Sequence, residues 1–131
     1  MLDASVAVAA LRATEPGHAA ALRRCARLFE GRDDIVVPVL FDVEVTSALV
    51  RRGIPPERIL AFFAEHLPSR RLVTLGPRAA RTTATVAATT RLRAADAVYV
   101  WVAARENLPL VTSDEEVLAR APLAGARAVA P

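Results

Sequence analysis

The sequence predicts an α/β domain, with a mainly parallel sheet between layers of helices. Three observations carry this. Short apolar segments alternate with longer stretches at helical spacing, as expected of strands joined by helical crossovers. Pro and Gly punctuate nearly every boundary between them. The chain has 131 residues, 53 % of them hydrophobic, enough for one domain with a real core.

Taken in order, residues 2–8 are apolar around a single acid, Asp3, and 5–12 read as the first helix. Glu15-Pro16-Gly17 is a break, with Pro16 suited to opening the next helix. Over 18–30, Ala21, Leu22, Cys25, Leu28 and Phe29 recur at helical spacing, and Gly31 closes the helix. A turn at Asp33-Asp34 leads into a buried strand, Ile35-Val36-Val37. Pro38 ends that strand and opens a third helix over 39–52. Its expected apolar face is Leu40, Val43, Ser47 and Val50, with Leu49 beside them and Glu44 in the middle. Gly53 stops it and Pro55-Pro56 restarts the chain. The fourth helix, 57–67, turns Ile59, Leu60, Phe62 and Phe63 inward. A strand is expected over 71–75 and an Ala- and Thr-rich helix over 78–90. A helix over 94–106, opened by Asp96, then runs into a strand over 108–112 that ends near Asp114. One or two helical turns over 114–120 and a short strand over 126–129 complete a single domain, 1–131. Right-handed crossovers place the C-terminal ends of parallel strands on one edge, where ligands sit in such sheets.

Composition narrows the function classes. Net charge is +3 and the sequence pI about 10.3, with every basic side chain an arginine. That excess suits phosphate contacts, and it is equally what a GC-rich genome produces. Charge interrupts every apolar stretch well short of the roughly 20 residues of a membrane span. Leu2 and Asp3 follow Met1 directly, so no basic leader region is expected. The single cysteine, Cys25, excludes an internal disulfide and reads as a small buried hydrophobe. The expectation is a cytoplasmic protein with no membrane partner.

Four acids stand beside apolar residues in separate elements: Asp3, Glu44, Asp96 and Asp114. Each has a plain structural reading. Asp3 and Asp114 read as helix caps and Asp96 as a first-turn acid favoured by the helix dipole. Glu44 reads as a snorkelling residue or a partner of Arg51, two turns on. Together they would converge on one sheet edge without a basic partner in their own motifs. Crowded carboxylates must be neutralised by protons or cations. With no His or Cys cluster, the fitting cation is Mg²⁺ or Mn²⁺. Such a site activates water and stabilises phosphodiester displacement.

The pattern resembles a PIN-domain ribonuclease, and the small size resembles the VapC-type toxin of a VapBC toxin–antitoxin pair. The matching residues are Leu2-Asp3-Ala4-Ser5; residues 38–49 with Glu44; Arg93-Ala94-Ala95-Asp96-Ala97; and Leu110-Val111-Thr112-Ser113-Asp114. The resemblance implies an α/β/α sandwich with a parallel sheet of about five strands and Mg²⁺- or Mn²⁺-dependent cleavage of RNA. It makes Asp3, Glu44, Asp96 and Asp114 the catalytic and metal-binding quartet. Ser5 and Thr112 match hydroxyls that steady the acids or water at the metal. It further implies a homodimer silenced by a cognate antitoxin. The chain departs in having only Met1 and Leu2 before the first acid, which implies a very short first strand or an upstream start.

Arg91 and Arg93 precede Asp96 and are the candidate RNA contacts; solvated charge is the competing reading. Glu115 and Glu116 are candidates for the outer metal shell, His18 and His66 for surface residues, and Tyr99 and Trp101 for core or dimer contacts. Asp42 is expected to face solvent. The leading function is an endoribonuclease. The rival is a catalytically degenerate PIN-like domain that binds RNA or protein.

Overall fold

The computed structural model describes residues 1–33 and 35–131; Asp34, half of the expected turn, lies outside the described residues. Among them the order is α1 (Ala4–Leu11), α2 (His18–Phe29), β1 (Val36–Pro38), α3 (Leu40–Val50), α4 (Pro56–His66), β2 (Arg71–Val73), α5 (Pro77–Thr90), α6 (Ala94–Glu106), β3 (Leu110–Val111), α7 (Glu115–Arg120), a 3₁₀ turn (Ala121–Ala124) and β4 (Ala128–Val129).

Among the described residues all the strand pairing is parallel. β1 pairs with β2, Val37 opposite Leu72, and β3 pairs with β4, Leu110 opposite Ala128. Leu2 adds a single parallel bridge to Val111. The Asp3 N–H donates to Val111 O and the Val111 N–H to Met1 O, both at 3.0 Å. The α/β class is as expected, but among the described residues the sheet consists of two short pairs and one bridge rather than about five continuous strands. The first strand is reduced to Leu2 because Asp3 already caps α1. β1 ends at Pro38; the Val39 N–H still donates to Val73 O at 3.0 Å, while the Val39 backbone has already turned into the helical region that opens α3.

α6 holds the domain together. Every residue from Ala97 to Ala103 is buried, as befits a helix hydrophobic all round. It packs on α5 and touches β1 and β3, while α1 packs on α2 and α3. Val98, Trp101 and Val102 join Val73 in a second apolar cluster beside the main core. Tyr99 and Trp101 are thus core residues, and Cys25 is fully buried, its thiol pushed up to about 11 by burial.

α3 overturns the expected apolar face. Phe41, Val45 and Leu49 point inward, whereas Val43 is 64 % and Val50 41 % exposed. The helix carries two apolar stripes, and the one with the large Phe41 side chain wins the core, its ring 6.3 Å from that of Phe63. Truncating such a side chain costs about 3–5 kcal/mol. Leu60 is likewise 63 % exposed, while Ile59 and Phe63 are buried. Asp42 does not face free solvent. Its carboxylate accepts from Arg70 Nη2 at 2.7 Å and from Nε at 2.9 Å, and the guanidinium lies over the Phe63 ring. His18 and His66 are half-buried, each with Nδ1 on a backbone carbonyl, of Ala9 and Phe29 respectively.

A carboxylate-lined cavity as candidate metal centre

Asp3 sits where the chain leaves its bridge to β3 and enters α1. Its Oδ1 accepts from the Ser5 N–H at 3.1 Å, as a helix cap does. Its Oδ2 accepts from Thr112 Oγ1 at 2.5 Å. Thr112 is fully buried one residue past β3, and its hydroxyl also accepts from the Asp114 N–H at 3.1 Å. One hydroxyl therefore ties the loop after β3 to the N-terminal acid. The parallel register of Leu2 and Val111 makes this possible, because it sets Asp3 and Thr112 side by side.

Asp114 caps α7, its Oδ1 accepting from the N–H groups of Glu116 and Val117 at 2.8 and 3.2 Å. Its Oδ2 accepts from Arg93 Nη2 at 3.2 Å, while Arg93 Nε donates to Asp96 Oδ2 at 2.9 Å. Asp96 lies in the first turn of α6, where the helix dipole favours an acid. Capping by Asp3 and Asp114 therefore leaves room for a second role. A cap uses one carboxylate oxygen and leaves the other directed elsewhere.

Glu44 reaches in from the middle of α3. Its Oε2 is buried with no hydrogen-bond partner among the described residues, and so is Tyr99 Oη from α6. The two groups feel one another, since Glu44 is among the causes that raise the Tyr99 phenol, after burial itself. Arg51 makes no ion pair with Glu44.

Asp3, Glu44, Asp96 and Asp114 line one cavity of about 660 Å³, together with Ser5 and Arg93. Burial is the main force raising the Asp3 carboxyl. The Thr112 hydroxyl and the Ser5 N–H oppose it, and the Asp96 charge adds to it. Glu44 is raised first by burial and then by the charges of Asp3 and Asp96, with Tyr99 and Arg93 acting the other way.

The expected absence of a basic partner does not hold. Arg93 bridges Asp96 and Asp114, although its own side chain is 76 % exposed. Arg91 stands apart, in a left-handed conformation at the end of α5. Its carbonyl accepts from Arg120 Nη1, and its side chain does not line the cavity. Glu116 pairs with Arg120 at 3.4 Å.

The donor set fits a hard divalent cation in its chemistry: several carboxylate oxygens, one buried and unpartnered at Glu44. Among the described residues no three His, Cys, Asp or Glu side chains already stand at the distances of a closed metal cage. The Arg93 guanidinium occupies the space between two of the acids. Tyr99 and the cavity wall at Arg51, Arg52 and Glu15 were not among the expected site residues. Tyr99 carried a usable signal, lying three residues after Asp96 and hence on an adjacent strip of the helix surface.

Comparisons with known proteins place this geometry in context. The family model described as PIN domain matches residues 1–123. Among solved structures, the crystal structure of PAE2754 from Pyrobaculum aerophilum is similar, with a TM-score of 0.68 and 23 % identity. The alignment covers 98 % of this chain and 87 % of that one, and at this identity it speaks for the fold. No curated protein sequence matches the chain.

Proposed function

The chain belongs to the PIN domain family, whose members are in general nucleases that use divalent metal ions, and from that premise we propose that it is a metal-dependent endoribonuclease. The observation that carries the reading is the convergence of four carboxylates from separate elements on one cavity. In this reading Asp3, Glu44, Asp96 and Asp114 hold Mg²⁺ or Mn²⁺. The ion, when bound, lowers the pKa of water and neutralises charge that develops on the phosphodiester. The chain's own residues prepare the place. The Thr112 hydroxyl holds one Asp3 oxygen and the Ser5 N–H holds the other, so the carboxylate cannot rotate away. The Thr112 contact to the Asp114 N–H fixes the second acid against the first. The Glu44 Oε2 is buried without a well-formed hydrogen bond, the nearby Tyr99 hydroxyl being the protein group that acts on it, and it gains a favourable contact on meeting a cation. Arg93 must leave its bridge for Asp96 and Asp114 to act as ligands, and its exposure leaves it free to turn outward onto a phosphate.

Family resemblance extends the proposal. RNA hydrolysis leaves a 5′-phosphate and a 3′-hydroxyl. The protein acts as the VapC-type toxin of a type II toxin–antitoxin pair, working in the cytoplasm as a homodimer until a cognate antitoxin covers the site. Exposed apolar side chains such as Val43, Leu60 and Leu123 are consistent with such contacts. Among the described residues no helix is long and apolar enough to cross a membrane.

The test is cleavage of a structured RNA by purified protein with Mg²⁺ or Mn²⁺, arrested by EDTA. Asp3→Asn, Glu44→Gln and Asp96→Asn should each lose most of the activity while remaining folded. Full activity in Asp96→Asn removes the assignment. RNA binding without turnover under any divalent metal supports the degenerate binding module instead.

A further inference from the structure

The cavity has a second end. Beyond Glu44 its wall continues along α3 to Ser47, Ala48, Arg51 and Arg52, with Glu15 facing them from the loop after α1. Arg51 follows Glu44 by seven residues, which is two helical turns: about 10 Å along the axis at nearly the same azimuth. The backbone keeps the helical path through Arg51, with φ −59° and ψ −18°.

The two arginines differ in charge balance. Arg52 Nε donates to Glu15 Oε1 at 2.9 Å and its Nη1 to Ala48 O at 3.0 Å. Arg12 reaches the same Glu15 oxygen at 3.3 Å. Arg51 is exposed and pairs with no acid among the described residues. The cavity is therefore bipolar: carboxylates at the α6 end, and an uncompensated guanidinium two turns away on α3.

We infer that Arg51 forms a phosphate subsite, holding an RNA backbone phosphate that flanks the bond positioned at the carboxylates. A polyanionic strand that lies along this cavity meets four acids, and a cation ion at that end covers only the phosphate beside it. The neighbouring phosphate needs a cation of its own. Arg51 supplies one whose charge no internal partner consumes and whose planar fork suits phosphate oxygens. α3 then sets the path of the strand, with Glu44 at one end and Arg51 at the other. This shifts the RNA contact from Arg91, which lies outside the cavity, to a residue that sequence reading treated as a possible Glu44 partner. The inference rests on the nuclease reading for the identity of the ligand, but not on turnover.

The experiment is fluorescence anisotropy with a labelled single-stranded RNA oligonucleotide in EDTA, over a series of salt concentrations. For single strands, each phosphate contact contributes about 0.7 to the slope of log K against log salt. Arg51→Ala should lower the slope by about that amount. Between 50 and 200 mM salt its affinity should fall about 2.6-fold less than the parent's. Arg51→Lys should keep the slope and Arg51→Glu should weaken binding further. Arg91→Ala should match the parent. An unchanged slope in Arg51→Ala, or no RNA binding by the parent, overturns the inference. Cleavage in Mg²⁺ is read separately. An active parent with an unchanged Arg51→Ala slope refutes the subsite alone, and an inert parent with a lowered slope refutes the nuclease reading and leaves the subsite standing.

Discussion

Replacing Glu44 by Gln removes a carboxylate whose Oε2 is buried without a partner and whose pKa is raised first by burial and then by Asp3 and Asp96. Gln keeps two polar atoms at this position but carries no charge, so what it relieves is the burial of a charge beside Asp3 and Asp96. Glu44 is only half-buried, so solvent screens that charge and Gln should stabilise the metal-free protein by no more than about 1 kcal/mol. In a chain of this length that is about 4 °C in Tm. The sign follows from linkage. A carboxyl raised in the folded state binds more protons there than in the unfolded state. Its penalty is absent below the unfolded value near 4.3, grows as pH rises, and is complete above the folded pKa. The Gln variant should therefore melt higher than the parent, by up to about 4 °C, at pH 7.5 in EDTA, with the advantage gone at pH 4. Mg²⁺ reverses the order. At a hundred times its Kd, an ion that binds only the folded state adds about 2.7 kcal/mol to the parent, roughly 10 °C, and less to the variant. Differential scanning calorimetry at the two pH values, with and without Mg²⁺, reads all of this. A variant that melts clearly below the parent at pH 7.5 without metal would show that Glu44 is a structural ion-pair partner, and the reasoning fails.

Three further outcomes follow from the same geometry. Thr112→Val removes the hydroxyl shared by Asp3 and the Asp114 N–H, so RNA cleavage should fall by about 10–100-fold, and the fold should lose about 1.5–3 kcal/mol by urea denaturation. Arg93→Ala takes away the guanidinium between Asp96 and Asp114, so Mn²⁺ should bind more tightly by calorimetric titration while RNA binds more weakly; unchanged Mn²⁺ affinity would mean that the bridge does not compete with metal. Arg70→Ala breaks the half-buried pair with Asp42 and uncovers the Phe63 ring, and should lower stability by about 2 kcal/mol without changing cleavage.

Where one physical cause dominated, the sequence was legible. The sequence predicts a helix over 94–106 and α6 spans Ala94–Glu106, because a long apolar run opened by Asp96 has few alternatives. That Asp3 and Asp114 meet is legible for a topological reason, since parallel strands expose their ends on one edge, whereas Glu44 reaches the same cavity from the middle of α3. The apolar face of α3 was not legible. Val43 and Val50 compete with Phe41, Val45 and Leu49 on a helix apolar on several sides, and only tertiary packing chooses between the stripes. The ion pairs were also hidden. Arg93 to Asp114 spans 21 residues, Arg70 to Asp42 spans 28 and Arg52 to Glu15 spans 37, so no local spacing announces them. Strand lengths were overestimated at 71–75 and 108–112, since apolar content speaks for burial and not for ladder hydrogen bonds.

The most direct test of the account titrates Mn²⁺ into the parent and into Asp96→Asn. Bound metal is followed by loss of the free Mn²⁺ paramagnetic resonance signal, and RNA cleavage is assayed in the same samples. The account predicts that cleavage by the parent rises in step with bound Mn²⁺, and that Asp96→Asn binds the ion more weakly and cleaves little even at high metal. Equal Mn²⁺ binding by the two proteins, or cleavage by the parent in EDTA, would contradict it.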